Sequence, residues 1–343
     1  PDQSPATLLG ARPKIPDFAR QPALPGEESE EAQPPTPPVT IAFAGDVHGE
    51  PPIAGLLDAD EDPFEGVAAL LQAADLTVVN LETAVGTTGV PADKTFTFQA
   101  DARLVERLAD AGVDVVNLAN NHALDFGHAA AAETRQLAQA AGLAVVGHGR
   151  DRDQAYQAHV VDIGGRTVAV VGLSRVLPLI QWAAGDDRPG LASAYPRHLD
   201  VALQAVRDAA AQADHVVVTI HWGQERWTCP DGDQIALAQA LSQAGADVIA
   251  GHHPHVLQGV EEVDGTLVAY SLGNFLFYGR TPAARQSGVL TVTLGSEGVL
   301  DHTWSAAELD LQGRPQPVTT QAPIPQDASV ITPSSGRACG PPS

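Results

Sequence analysis

From residue 39 onward, short runs of β-branched and other apolar residues alternate with alanine- and leucine-rich stretches whose apolar positions recur at helical spacing. The runs VTIAFAG (39–45), LTVVNL (76–81), VDVVNLA (113–119), LAVVG (143–147) and RTVAVVGL (166–173) predict strands, as do HVVVTIH (215–221), DVIAG (247–251), TLVAYSL (266–272) and GVLTVTL (288–294). Helices are predicted over 64–74, 101–111, 128–141, 197–212 and 233–244, several of them closing on Ala-Gly at a C-cap position. Such alternation predicts an α/β protein with a largely parallel sheet. The runs within 266–304 follow one another without helices, which predicts antiparallel strands and a second sheet. The architecture expected is two sheets inside and helices outside.

Composition sets the domain limits. Residues 1–38 carry ten prolines and no apolar periodicity, the pattern of an extended stalk that cannot bury its own surface. Prolines return after about residue 312, so the folded domain is expected over 39–312, followed by a Pro-rich tail over 313–343. No stretch reaches the roughly 20 apolar residues that span a bilayer. The chain contains no methionine, which fits a processed form that has lost an export signal or lipid anchor. Two cysteines, Cys229 and Cys339, are too few for a disulfide framework; they either form one bridge from tail to loop or remain two thiols. A formal charge of -23 disfavours nucleic-acid and anionic-membrane partners, so an anionic substrate must be drawn in locally, by a metal or by clustered arginines.

In a sheet of this kind ligands collect at the carboxyl ends of the strands, and the unusual residues fall there. GDVHGE offers Asp46 and His48, NLET offers Asn80 and Glu82, and NLANNHALDFG offers Asn120, Asn121, His122 and Asp125. HWGQE offers His221 and Glu225, and GHHPH offers His252, His253 and His255. Taken singly, each has a structural explanation: a turn cap, a helix cap or a satisfied core histidine. Taken together, five strand ends supply a mixed imidazole, carboxylate and amide set that suits Mn, Fe or Zn. In Asp-x-His and His-x-His, alternate side chains of an extended segment share a side, so two loops offer four ligands.

With these motifs in place, the chain resembles the poly-γ-glutamate capsule biosynthesis (CapA/PgsA-type) family, a branch of the calcineurin-like metallophosphoesterase superfamily. The likeness runs from about residue 40 to about 310, through FAGDV, NLET, NLANNHALDFG, HWGQE, GADVIAGHHPHVLQGVE and YSLGNFLF in order. It implies a four-layer α/β/β/α sandwich, two mixed sheets with flanking helices, and two divalent ions over the strand ends. Carried over by position, Asp46 and His48 open the first metal site, and Glu82 stands where the superfamily usually has a bridging Asp. Asn121 is a ligand of the second metal and His122 stands near the substrate; His221, His253 and His255 complete the ligand set, and His252 has no assigned role. Many family members have methionine at the position of His48, and Glu82 is one methylene longer than the usual bridge.

A shared metal-activated water is then the expected nucleophile, with His122 oriented by Asp125 as the proton donor. The alternative for that pair is a helix-start hydrogen bond. Lys94 either neutralises an anionic substrate at the rim or is a solvated loop lysine, and Trp222 either walls the site or packs beneath it. Two functions follow: an exported hydrolase of a phosphoester or of an amide in a capsule polymer, or a non-catalytic accessory that binds or exports such a polymer. Either one expects an extracellular or cell-surface location, an anionic polymer or phosphoester as ligand, membrane capsule-synthesis components as partners, and no nucleic acid.

Overall fold

The computed structural model describes residues 36–318; the stalk at 1–35 and the tail beyond 318 lie outside the described residues. Along the chain come β1 (Val39–Val47), α1 (Ile53–Asp58), α2 (Ala68–Leu71), β2 (Leu76–Leu81), α3 (Arg103–Asp110), β3 (Val115–Asn117), α4 (Gly127–Ala140) and β4 (Ala144–Val146). The second half begins with α5 (Arg152–Tyr156), β5 (His159–Ile163), β6 (Arg166–Ser174), α6 (Leu199–Ala210), β7 (His215–His221), α7 (Gly232–Gln243) and β8 (Val248–His252). It closes with β9 (Val260–Val263), β10 (Thr266–Ala269), β11 (Asn274–Leu276), α8 (Pro282–Arg285), β12 (Gln286–Gly295), β13 (Gly298–Leu309) and β14 (Pro315–Pro317).

Two mixed sheets result. The first has eight strands in the order β14-β13-β12-β1-β2-β3-β4, with β11 added parallel to the end of β1. The second has six, in the order β9-β10-β8-β7-β6-β5, with antiparallel strands at both edges. Side chains alternate across each strand, and the alternation builds the layers. Ile41 and Phe43 of β1 meet Val168, Val170, Val217 and Val248 between the sheets. Ala42 and Ala44, one position along, face the helical layer with Leu104, Val105 and Leu108 of α3. On the far side Val216, Val218 and Ile220 of β7 pack with Ala202 and Val206 of α6 and Leu237 and Leu241 of α7. The four-layer α/β/β/α sandwich is therefore present.

Several elements differ from expectation for local reasons. The strand expected over 113–119 stops at Asn117, whose Oδ1 accepts the Ala119 N–H at 2.9 Å and bends the chain out of the ladder. The strands within 266–304 are not all antiparallel: β10 runs parallel to β8, and β11 parallel to β1. The missing crossover helix is replaced by the GHHPH loop and a β9–β10 hairpin turning on Asp264 and Gly265, both at positive φ. Helix 64–74 shortens to α2, and a second short helix, α1, precedes it. β14 extends the first sheet past residue 312. Cys229 takes part in a disulfide, while Cys339 lies outside the described residues.

One close approach fixes the site end of β1. A Cβ on Gly45 would lie 2.1 Å from the Gly273 carbonyl oxygen, the acceptor of the Asp46 N–H at 2.9 Å. Gly45→Ala is expected to cost about 3 kcal/mol, read as a lower urea midpoint; a stability equal to wild type would refute the contact.

Candidate metal centre

Each sheet contributes one side of the centre. From the first come Asp46 at the end of β1, Glu82 just past β2 and Asn121 in the bend after β3; from the second come His221, the last residue of β7, and His253 and His255 in the loop after β8. Asp46, Glu82 and His221 are fully buried. Ligand atoms of Glu82, His221 and His253 lie within 4.8 Å of one another, and so do those of Asp46, Glu82 and His255 and those of Glu225, His253 and His255. Five of the six expected His, Asp and Glu ligands thus converge, with Glu82, His253 and His255 each shared between two groups.

The backbone of the histidine loop is held in an uncommon conformation. His253 and His255 sit at φ 97° and 56°, on either side of Pro254, in a region that bulky residues avoid. The fold holds them there: His253 N–H points to Asp46 Oδ2 at 3.3 Å, and His255 Nδ1 lies 2.9 Å from Asn274 Oδ1. A buried amide chain sets Asp46 itself. Asn80 Nδ2 donates to Asp46 Oδ1 at 2.8 Å, while Asn80 Oδ1 accepts from Asn120 Nδ2 at 3.3 Å.

The remaining two expected ligands stand differently. Asn121 lies one hydrogen bond from the cluster, with Oδ1 2.7 Å from His221 Nε2. His48 is absent from all three convergent groups. Its ring lies edge-on to Phe277 at 3.8 Å, and its Nδ1 accepts the Glu50 N–H at 3.0 Å. A neutral imidazole accepting at Nδ1 carries its proton on Nε2, so ligation through Nε2 requires the Glu50 bond to open. His252 packs behind the loop, with Nε2 3.1 Å from Thr219 Oγ1 and Nδ1 3.5 Å from Asp46 Oδ1. Trp222 packs beneath the site, stacked on Tyr270 and donating to its carbonyl at 2.8 Å.

Charge in this cluster is unbalanced. Burial pushes Glu82 well above the usual carboxylate range, and the neighbouring Asp46 charge pushes the same way. Burial drives His253 down to about 3, with His255 adding to the fall. Although burial opposes it, His255 is lifted to about 10 by Glu82 and Asp46. Both oxygens of Glu82 are buried without a protein hydrogen-bond partner, as is His253 Nδ1. Buried carboxyl oxygens and an imidazole nitrogen without hydrogen-bond partners, set beside Asp46 and His255, are a donor set a divalent cation satisfies, so the residues fit a metal.

Beside the cluster, His122 Nδ1 lies 2.6 Å from Asp125 Oδ2, and its Nε2 lies 3.9 Å from Glu82 Oε1. Its ring stacks on Phe98 at 3.9 Å. Lys94 is neither a rim cation nor a solvated one. Its Nζ donates to Asp125 Oδ1 at 2.6 Å and to the Asn121 carbonyl at 2.7 Å, under the Trp182 ring. The His122–Asp125 contact therefore belongs to a network wider than a helix start. Residues that the strand-end pattern did not place in the site are Asn274 and the aromatic wall of Phe98, Phe277 and Tyr278. The signal for Asn274 was an amide set between glycine and the apolar run FLF.

Sheet order, layers and cluster define a metallophosphoesterase-type fold. A novel phosphatase of Mycoplasma pneumoniae superposes with a TM-score of 0.51 at 15% identity, over 80% of this chain and 94% of that one. A hypothetical protein of Thermus thermophilus does so with a TM-score of 0.50 at 20% identity, over 78% and 99%. The chain belongs to the bacterial capsule synthesis protein PGA_cap family, whose model matches residues 40–279. It is 35% identical over 238 residues to the PGA biosynthesis protein CapA of Bacillus subtilis (strain 168), covering 68% of this chain and 62% of the relative. It is also 35% identical over 236 residues to the capsule biosynthesis protein CapA of Bacillus anthracis, covering 67% and 56%. A probable polyglutamine synthesis accessory protein of Mycobacterium tuberculosis is 32% identical over 227 residues, covering 62% and 58%. The chain thus spans less than two thirds of the length of these relatives. The family links it to capsule biosynthesis.

Three outcomes test the centre and its flanking network. A divalent ion at about 100 times its Kd is expected to stabilise the protein by about 2.7 kcal/mol, read as a rise in Tm. Glu82→Gln is expected to abolish most of that rise while leaving the chelated protein at least as stable as wild type, because a neutral amide relieves the crowded charge. Lys94→Ala is expected to cost about 3 kcal/mol, since it strands a buried carboxylate; combining it with Asp125→Asn recovers part of the loss in the same unfolding assay.

Proposed function

We propose that the protein is an exported, metal-dependent hydrolase that acts on a phosphoester, or on an amide, in the synthesis or processing of a poly-γ-glutamate-type capsule polymer. The observation that carries this reading is Glu82: fully buried, without a hydrogen-bond partner at either oxygen, and shared between two overlapping ligand groups. Shared membership supports two adjacent ions, Mn, Fe or Zn, held by Asp46, Glu82, His221, His253 and His255, with Asn121 nearby. Bound there, such ions supply an activated water and positive charge for the attacked centre. With Nδ1–H directed to Asp125, His122 takes up a second proton at Nε2, facing the cluster, to act as an imidazolium donor to the leaving group; burial works against that charge and Asp125 favours it. Asp125 fixes the ring from the Nδ1 side, and Lys94 fixes Asp125. The stalk and the disulfide at Cys229 support an extracellular or cell-surface location, with membrane capsule-synthesis components as partners.

A second reading is favoured by the name of the mycobacterial relative, an accessory protein: a non-catalytic component that binds or exports the polymer and keeps the metal for structure. The charge of -23 weighs against direct polyanion binding, although screening beyond about 8 Å limits its reach.

Metal analysis of the wild type and of His253→Ala, with assays on a phosphodiester, a phosphomonoester and polyglutamate, separates the two. Hydrolysis of at least one substrate is expected, falling about 100-fold or more in His122→Ala with metal content unchanged. Wild type that carries metal and turns over none of the three leaves the accessory reading standing.

A further inference from the structure

Next to the centre lies a cavity of about 350 Å³ that His122, His255 and Asn274 share with four aromatic rings: Phe96, Phe98, Phe277 and Tyr278. A larger cavity, about 1090 Å³, opens elsewhere and is lined by none of the candidate ligands. The smaller one is at the lower end of the range for small-molecule pockets, room for one compact group rather than a length of polymer.

Two arginines also line it, Arg226 and Arg280. This chain has 42 acidic residues against 19 basic ones, and half of the arginines among the described residues are paired with an acid. Arg103, Arg107, Arg150, Arg152, Arg175, Arg285 and Arg314 each sit on a carboxylate. Arg226 and Arg280 have no ion pair among the described residues; Arg280 lies only over the Tyr278 ring, at 5.0 Å. Arg226 is held at φ 65°, its N–H bonded to the Pro254 carbonyl at 2.7 Å, so it is fastened to the histidine loop itself. Phe96 is 57% exposed, an apolar face with nothing packed over it. Free guanidinium groups and a bare aromatic face in one small cavity select a ligand with both characters.

We infer that this cavity is a binding subsite for a compact anion, carboxylate or phosphate, carried on a flat apolar body, with Arg226 and Arg280 taking the charge and Phe96 the flat face. The inference rests on the reading of the adjoining cluster as a metal site, and it narrows the substrate class: a small ligand or a chain end enters, and a continuous polyanion does not. Glu225 lines the same cavity and joins it to the cluster, its carboxylate grouping with His253 and His255.

The test is calorimetric titration of manganese-loaded protein with two matched pairs, phenyl phosphate against methyl phosphate and benzoylglycine against acetylglycine. The aryl member of at least one pair is expected to bind about tenfold more tightly, and the pair with the tighter aryl ligand names the headgroup. Phe96→Ala should abolish most of that preference. Arg226→Ala combined with Arg280→Ala should weaken the aryl ligand at least tenfold with bound manganese unchanged. Equal affinity within both pairs, or undiminished binding in the double variant, overturns the inference. Turnover is measured separately: discrimination without hydrolysis keeps the subsite and removes the hydrolase, and hydrolysis without discrimination does the reverse.

Discussion

Two carboxylates buried side by side, Asp46 and Glu82, are the constraint around which this site is organised. Neither can be ionised there without compensation, because desolvation and mutual repulsion act in the same direction. Asp46 is compensated by the protein, through the Asn80 amide and contacts from His252 and His255. Glu82 is not: its oxygens meet only the ring nitrogens of His122, His221 and His255, all beyond 3.5 Å. A fold that keeps such a residue inside holds a position open for positive charge. That inequality between two neighbouring acids separates this arrangement from a self-sufficient polar core.

The two-sheet architecture makes the arrangement rigid. Each ligand leaves the end of a buried strand, and the strands are locked by apolar layers on both faces, so the side chains have little freedom to move apart and relieve the repulsion. Within the site, two non-glycine residues of the histidine loop, His253 and His255, are held at positive φ. The aromatic wall restricts access to one side. His48 lies edge-on to Phe277 within it, and His122, stacked on Phe98, bridges wall and cluster.

Much of this was legible in the amino-acid sequence because strand periodicity and strand-end chemistry are both local signals. The runs at 39–45, 76–81 and 215–221 announced their strands, and the polar residues closing them were recognisable as a set. What stayed hidden depends on pairing between distant segments. Asn274 enters only because β11 lies against the end of β1, a register made possible by a glycine crossing another glycine. Lys94 looked like a surface residue, and its burial against Asp125 arises from a loop whose path no periodicity describes. The Asp-x-His pattern marked His48 but not the rings around it: Phe277, edge-on to His48 at 3.8 Å, comes from a segment more than two hundred residues further along the chain. The parallel placement of β10 was obscured because a hairpin took the place of a helix.

The Gly45–Gly273 crossing also has a meaning for biogenesis. Groups that must assemble around one point are drawn from residue 46 through residue 274, so a nascent chain carries its paired acids through most of its synthesis without the late strand that orders their surroundings. Until that strand is made, the site end of β1 lacks its partner and the two acids remain hydrated, so enclosure of the centre is a late event in folding.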